Sequence, residues 1–462
     1  MDQQQATLEL GTKPVGKLLV QYAIPAVIAM TASSLYNIID RIFIGQVVGP
    51  LAISGLAITF PFMNLSAAFG AAIGVGSSTS ISIKLGQKDF KTAENILGNT
   101  VTLNILISLI YGMLSLIFLD PILRFFGASD ATLPYARDFM QIILAGNVIT
   151  YMYFGMNALL RSSGKPKHAM YATMFTVAMN ILLDSIFILW FKWGIRGAAS
   201  ATMISQTCAM IWQLTLFNDK KELLHFKRGI YRLKLDLVKL IVGIGISPFL
   251  INACASIVVI FMNNQFVKYG GDLAVGAYGI ANSIGVVFVL FVMGINQGMQ
   301  PIAGYNYGAM QLDRVMKVLY LSMIAGFFVM SIGWAIAMFL PYQTVSLFTT
   351  DPTLINFAVK GVRIDMLLYP LVGLQIVITN FFQCIGKVKV SIFLSLSRQL
   401  IFLLPLLFVL PPIFGITGVW ATLPASDFIA VFVALAILAY NIKKFKLQHK
   451  SAINERQIQH DY

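Results

Sequence analysis

The sequence predicts an all-α polytopic membrane protein, twelve transmembrane helices in two six-helix lobes related by a pseudo-two-fold axis along the membrane normal. Three observations carry this. Of the 462 residues, 58% are hydrophobic and only 11% charged, where a soluble domain carries about 25% charged residues. Residues 42–83, 95–119, 139–160, 197–218, 240–267, 273–312, 318–350 and 399–426 contain no Asp, Glu, Lys or Arg, and runs of roughly 20 apolar residues are membrane spans. Finally, the sequence repeats itself at an offset close to half its length. At about 25 residues per span and cap, twelve spans leave too little chain for a soluble domain of useful size.

Turn residues and charges divide the chain into helices over 18–46, 51–83, 92–119, 133–161, 168–191 and 196–218, then 238–267, 273–303, 313–340, 354–385, 388–410 and 416–442. Gly49-Pro50 parts the first from the second, and Gly86 closes the second. Phe126-Gly127-Ala128-Ser129-Asp130 precedes the fourth, Gly164-Lys165-Pro166-Lys167 ends it, and Gly194 precedes the sixth. The long polar connection Asp219 to Asp236, holding Lys220, Lys221, Lys227, Arg228, Arg232 and Lys234, reads as a linker between halves. The expected organisation is therefore an N-terminal lobe over 1–218, a basic linker over 219–237, a C-terminal lobe over 238–442 and a basic tail over 443–462.

A net charge of +14 would suit nucleic acid, but the placement of the charges argues against it. With both termini on one side, that side collects Lys13, Lys17, Lys84, Lys88, Lys91, Arg161, Lys165, Lys167, the linker set with Lys239, Arg314, Lys317, Lys387, Lys389 and the tail residues Lys443, Lys444, Lys446, Lys450 and Arg456. Those are 24 of the 33 basic residues. The positive-inside rule makes this side cytoplasmic, so a multi-pass protein of the cell (inner) membrane with both termini cytoplasmic is expected, with no nucleic-acid partner. The segment from Leu18 to Ile39 is longer than a signal peptide's apolar core and lacks a cleavage site, so it is expected to be retained. Cys208, Cys254 and Cys384 lie far apart in apolar runs, without metal-site pairing.

The repeat pairs Gly49-Pro50-Leu51-Ala52-Ile53 with Gly271-Asp272-Leu273-Ala274-Val275, Gly86 with Gly308, and Gly164-Lys165-Pro166-Lys167 with Gly386-Lys387-Val388-Lys389. It also pairs Gly194-Ile195-Arg196-Gly197 with Gly415-Ile416-Thr417-Gly418, and Ala128-Ser129-Asp130 with Thr349-Thr350-Asp351. Six spans per repeat is an even number, so both halves enter the membrane in the same sense. Two such lobes facing a central cavity are the architecture of an alternating-access transporter.

Ionisable groups inside a bilayer are costly and mark function by default. Asp40 lies about 12 Å below the outer end of the first helix, Asp184 about 10 Å below that of the fifth, and Thr202 about six residues into the sixth, taking about 1.5 Å per residue. Asn37 and Asp40 share a face at i, i+3, as Asn180 and Asp184 do at i, i+4. Two carboxylates, an amide and a hydroxyl form an oxygen cage for a small hard cation, or a pair sharing a proton. The plain alternative is that each acid makes a hydrogen bond that only pins helices together. Asp427 reads equally as a functional group or a packing hydrogen bond. The pairs Arg137 with Asp138 and Arg363 with Asp365 read as interfacial and structural. Pro25 bends the first helix, either as a static kink or as a hinge responding to Asp40.

The repeated halves, the Asn37-x-x-Asp40-x-x-Phe43-Ile44-Gly45 ending of the first helix, the Phe126 to Asp130 segment and Asn180-x-x-x-Asp184 together resemble the MATE (multidrug and toxic compound extrusion) transporters, from about Lys17 to Lys444. The resemblance implies a coupling site in the N-terminal lobe. In the DinF-like branch it is an aspartate of the first helix with Asn, Asp and Thr partners, roles that Asp40, Asn180, Asp184 and Thr202 fill. The NorM-like branch adds acids in the seventh and tenth helices, and this chain has none between Lys239 and Lys268 or between Asp365 and Lys387. Asn37, Asn157 and Asp427 are supporting candidates.

The expected function is secondary antiport. Lipophilic, cationic drugs leave in exchange for inward H⁺ or Na⁺, the latter at Asp40, Asn180, Asp184 and Thr202, with no cofactor, the lipid bilayer as partner and a monomer as the working unit. The rivals are a flippase or exporter for a lipid-linked or narrow metabolite substrate, and a membrane-embedded transferase, for which there is neither a histidine within a span nor a nucleophile motif. No G-x-x-x-x-G-K-[ST] run points to ATP.

Overall fold

The computed structural model describes residues 3–460. Side chains before residue 7, after residue 444 and at positions 37, 41, 42, 46 and 50 lie outside the described residues, among them those of Lys446, Lys450 and Arg456. The described backbone is helical, without strands. In chain order the helices are α1 (Gln3–Thr12), α2 (Val15–Phe43), α3 (Pro50–Gly86), α4 (Phe90–Ile117), α5 (Leu119–Phe125), α6 (Leu133–Ala145), α7 (Asn147–Ser162), α8 (Pro166–Asp184) and α9 (Ile195–Asn218). There follow α10 (Leu235–Gly308), α11 (Leu312–Phe339), α12 (Pro341–Ser346), α13 (Pro352–Asp365), α14 (Tyr369–Cys384), α15 (Val388–Leu396), α16 (Leu404–Phe414) and α17 (Ile416–His460).

Among the described residues, eight helices are long and apolar enough to cross a membrane, and two bent pairs raise the number to ten. The pairs are α6 with α7, bent by 58°, and α13 with α14, bent by 52°; the sequence expects each as one straight span. At about 1.5 Å per residue the 74-residue α10 is more than three times the hydrocarbon thickness, and it is in fact two spans. Gly271 breaks it, with φ 68° and ψ −168°, in the left-handed region that glycine enters without a Cβ clash. The 24-residue α9 is the twelfth span, its hydropathy lowered by Thr202, Ser205, Gln206 and Gln213, all buried. Bands of exposed apolar residues, such as Ile110, Met113, Leu114 and Ile117 on α4 and Tyr320, Ile324 and Phe328 on α11, would be aggregation sites in water and are ordinary in lipid.

Of three π-helical segments, Ile44–Val48 and Ser185–Trp190 end the spans of α2 and α8, and Ser397–Leu403 interrupts the span from α15 to α16. No sequence pattern announces them. Two follow an intramembrane acid closely: Asp184 is the last residue of α8, and Asp40 stands four residues before Ile44. Such widened turns recur at functional sites.

The chain forms two compact units, residues 1–253 with 300–309 and residues 254–299 with 310–462. In the first, Ile44 and Ile188 of the first two π segments join Phe62, Phe139, Met140 and Ala198 in one core. Close helix crossings there use glycine on both sides. A Cβ on Gly86 would lie 1.9 Å from Tyr305 O, and one on Gly308 2.1 Å from Ile83 O. Gly76 faces Ile241 O, and Gly245 faces Ala72 O, in the same way. Small residues are what let membrane helices approach this far. In the second unit, Phe266 stacks on Tyr278 and meets Trp420 edge-on, with centroids 4.8 Å and 4.6 Å apart, in a core shared with Val362, Met366 and Leu403.

Two pairings read from the sequence are corrected. Arg137 bonds Asp120, not Asp138, which Arg196 holds at 2.8 Å. Arg363 donates to Met338 O at 3.4 Å, and Asp365 is buried. Neighbours in sequence on one helix point about 100° apart, so the partners come from other helices.

Candidate functional site

In the first unit, α2 packs along α8, and α8 along α9. The three helices bring the polar groups of the first, fifth and sixth spans together. Asp184 is fully buried, Asn180 is 1% exposed, and Asp40 and Thr202 are also buried. Asn180 and Asp184 are one turn apart on α8 and share a face, from which Asn180 reaches Thr202 of α9. With its amide oriented to satisfy both neighbours, Asn180 donates to Asp184 Oδ2 at 2.9 Å, and its oxygen lies 3.2 Å from the Thr202 hydroxyl. The hydroxyl in turn donates to Ala198 O one turn back, at 3.1 Å. Asp184 Oδ1 is buried with no hydrogen-bond partner among the described residues. An orphaned buried acceptor is costly, and here it belongs to a carboxylate.

Asp40 on α2 acts electrostatically on Asp184. Tyr36, one turn before Asp40 on α2, interacts with Thr202 and lies in the field of both carboxylates. Nothing in the sequence marks Tyr36 as an ionisable group in a span, although its i, i+4 spacing to Asp40 puts it on the same face. The side chain of Asn37 lies outside the described residues.

Other candidates stand elsewhere. Asn157 on α7 donates to Ala169 O at 2.9 Å and to Thr173 Oγ1 at 3.3 Å, and accepts from Arg161, which ties α7 to α8 nearer the linker end. Asp427 on α17 belongs to the second unit, where Arg398 Nε, in the third π segment, donates to it at 2.7 Å. Asp365 and Tyr369 lie within the electrostatic reach of that pair. Pro25 is buried inside α2, which continues through it to Phe43.

Chemically the Asp184 cluster is a set of hard oxygens. Two carboxylates, an amide oxygen and a hydroxyl in a low-dielectric site suit Na⁺, and the carboxylates alone suit a proton. Either ion would be a transported substrate here.

A helical chain of twelve spans, with buried acids inside its bundles, belongs to the class of polytopic membrane transporters. The MatE family model matches the chain twice, over residues 25–186 and 246–409, one match in each half of the sequence repeat. Multidrug export protein MepA of Staphylococcus haemolyticus (strain JCSC1435) is 27% identical over 441 residues, covering 95% of this chain and 96% of that protein. MepA of Staphylococcus aureus (strain MRSA252) is 26% identical, covering 92% and 94%. A solved outward-facing conformation of a multidrug resistance MATE family transporter of the MOP superfamily shares the fold with a TM-score of 0.90 at 23% identity, covering 95% of this chain and 98% of its own. A MATE structure in the bent conformation gives 0.91 at 23% identity, covering 96% and 99%. The chain belongs to the MatE family and is a multi-pass membrane transporter.

Proposed function

We propose that this transporter is a secondary antiporter that exports lipophilic, cationic compounds in exchange for inward H⁺ or Na⁺ by alternating access. The observation that carries the reading is the buried Asp184 carboxylate, held by Asn180 on one oxygen and left without a partner among the described residues on the other. A proton or Na⁺ supplies what that oxygen lacks, with Asp40 and Thr202 as further ligands. The MepA relatives, named as multidrug export proteins, support drugs as the exported class. Arg398, engaged with Asp427, leaves little spare positive charge for the pyrophosphate of a lipid-linked precursor.

In the cycle, the outward-facing state loads the external ion on Asp40 and Asp184, α2 adjusts about Pro25, and affinity for the exported compound falls. Exchange of one monovalent cation for another moves no net charge, so the membrane potential, worth about 2.3 kcal/mol per charge per 100 mV, drops out. The protein works as a monomer in the cell membrane, with both termini and the basic linker cytoplasmic. The test is efflux of a fluorescent lipophilic cation from proteoliposomes under separately imposed H⁺ and Na⁺ gradients. One gradient should drive efflux in the wild type and fail to do so in Asp40→Asn. Wild-type rates in that variant would falsify the coupling role, and no efflux under either gradient would remove the antiport reading.

A further inference from the structure

The basic linker carries six of the 33 basic residues, yet ion coupling makes no use of it. It is built onto the first unit rather than draped over it. Asn99 of α4 donates to Ile230 O and Arg232 O, both at 3.2 Å, and accepts from Lys234 N at 2.9 Å. Thr102 donates to Tyr231 O at 2.8 Å, and the largely buried pair Lys165 with Glu222, 2.6 Å apart, pins the linker's start. A Cβ on Gly98 would lie 2.4 Å from Ile230 O, so the strap sits directly on the helix.

Beside this strap is an apolar groove of about 560 Å³ lined by α4, α7, α9 and the linker, within the usual range for small-ligand sites of ~300–1,000 Å³. Its character changes along its length. On α9 the lining passes from Met210 and Leu214 to Thr215 and Asn218 toward the linker, eight residues or about 12 Å, against about 15 Å for half the hydrocarbon core. At the polar end Phe226 and Tyr231 of the linker form the wall. Arg228 and Arg232, close to them in sequence, are exposed and in no ion pair among the described residues. A groove that is apolar in depth and turns polar toward the linker, with exposed arginines one and two residues from its aromatic lining, matches the polarity profile of one leaflet.

We infer that this groove binds one acyl chain of an anionic diacyl phospholipid from the leaflet on the linker side, its headgroup held by Arg228 and Arg232. The lipid is a fixed ligand of the strap, not a member of the exchanging annulus. The site is independent of which compound or ion the transporter carries.

The test is native mass spectrometry of the full chain released from detergent micelles with dioleoylphosphatidylglycerol or dioleoylphosphatidylcholine. The expected result is one retained phosphatidylglycerol, with an apparent affinity about twenty-fivefold above phosphatidylcholine, about fivefold for each of the two arginines. Arg228→Ser with Arg232→Ser should lower that affinity by about fivefold per removed charge without altering the melting temperature, because both side chains are exposed. Ile105→Trp, which fills the groove from α4, should abolish retention of both lipids. Three results overturn the inference: equal retention of the two lipids, undiminished phosphatidylglycerol binding in the double serine variant, or displacement of the lipid by sn-glycerol 3-phosphate as readily as by phosphatidylglycerol itself.

Discussion

Asp184→Asn removes one negative charge from the candidate coupling site and little else, since asparagine keeps the shape and one acceptor oxygen. A monovalent cation about 4 Å from a carboxylate in surroundings of effective dielectric 20 gains about 4 kcal/mol, or nearly a thousandfold in affinity. Water reaching the site in the outward-facing state screens part of this, so the expected rise in the half-saturating concentration of the driving ion is between about a hundredfold and a thousandfold. Thr202→Val is the graded companion. It removes one neutral hydroxyl near Asn180, worth about 1 kcal/mol, and should raise the same quantity only about fivefold. The assay is initial efflux of a fluorescent lipophilic cation from proteoliposomes at a series of external H⁺ or Na⁺ concentrations, with thermal unfolding run alongside to confirm folding. A folded Asp184→Asn protein whose half-saturation lies within threefold of wild type would refute the reasoning. So would Thr202→Val having the larger effect.

Four further outcomes follow from other parts of the molecule. Asp427→Asn removes the carboxylate charge that faces Arg398 Nε at 2.7 Å and should lower stability by about 3 kcal/mol; Arg398→Met should cost more, since it leaves both Asp427 and Asp365, and thermal unfolding in detergent orders the two. Gly308→Leu, forced into Ile83 O, should abolish monodisperse protein on size-exclusion chromatography, whereas Gly229→Leu in the linker, with open space at its Cβ but φ +92°, should cost about 1 kcal/mol and remain monodisperse. Glu222→Gln should destabilise by about 1–3 kcal/mol, by leaving Lys165 unpaired in a largely buried site, and should quicken protease cleavage in the linker. Asp89 caps α4, accepting from Thr92 N at 3.1 Å, and the Thr92 hydroxyl first, then this backbone bond and the Lys84 charge, hold its carboxyl below the usual carboxylate value of 3.8. A depressed value means its contribution, about 1 kcal/mol, is present above that usual value and disappears as pH falls through the folded one. Asp89→Ala should therefore lower the melting temperature at pH 7 and lower it progressively less as the pH falls below 3.8.

Much of this protein is legible without coordinates because the bilayer restricts the alternatives. A span must be helical and apolar for about 20 residues, so composition, charge-free runs and turn residues located the spans, and the repeat implied two matching halves. The same cost made Asp40 and Asp184 conspicuous, and helical spacing put Asn180 beside Asp184. Tertiary structure decided what depends on neighbours from other helices. The bends between α6 and α7 and between α13 and α14, and the π segments after Asp40 and Asp184, leave the apolar pattern unchanged. The partners of Arg137, Asp138, Arg363 and Asp365 lay outside their own sequence neighbourhoods, and Asp427 went to Arg398. Tyr36 entered the cluster only because α2 packs along α8. The groove beside the linker exists because Asn99 and Thr102 hold backbone carbonyls more than a hundred residues away. Burial cost is a property of one residue in one medium and can be read along a chain; pairing is a property of two residues and needs their positions.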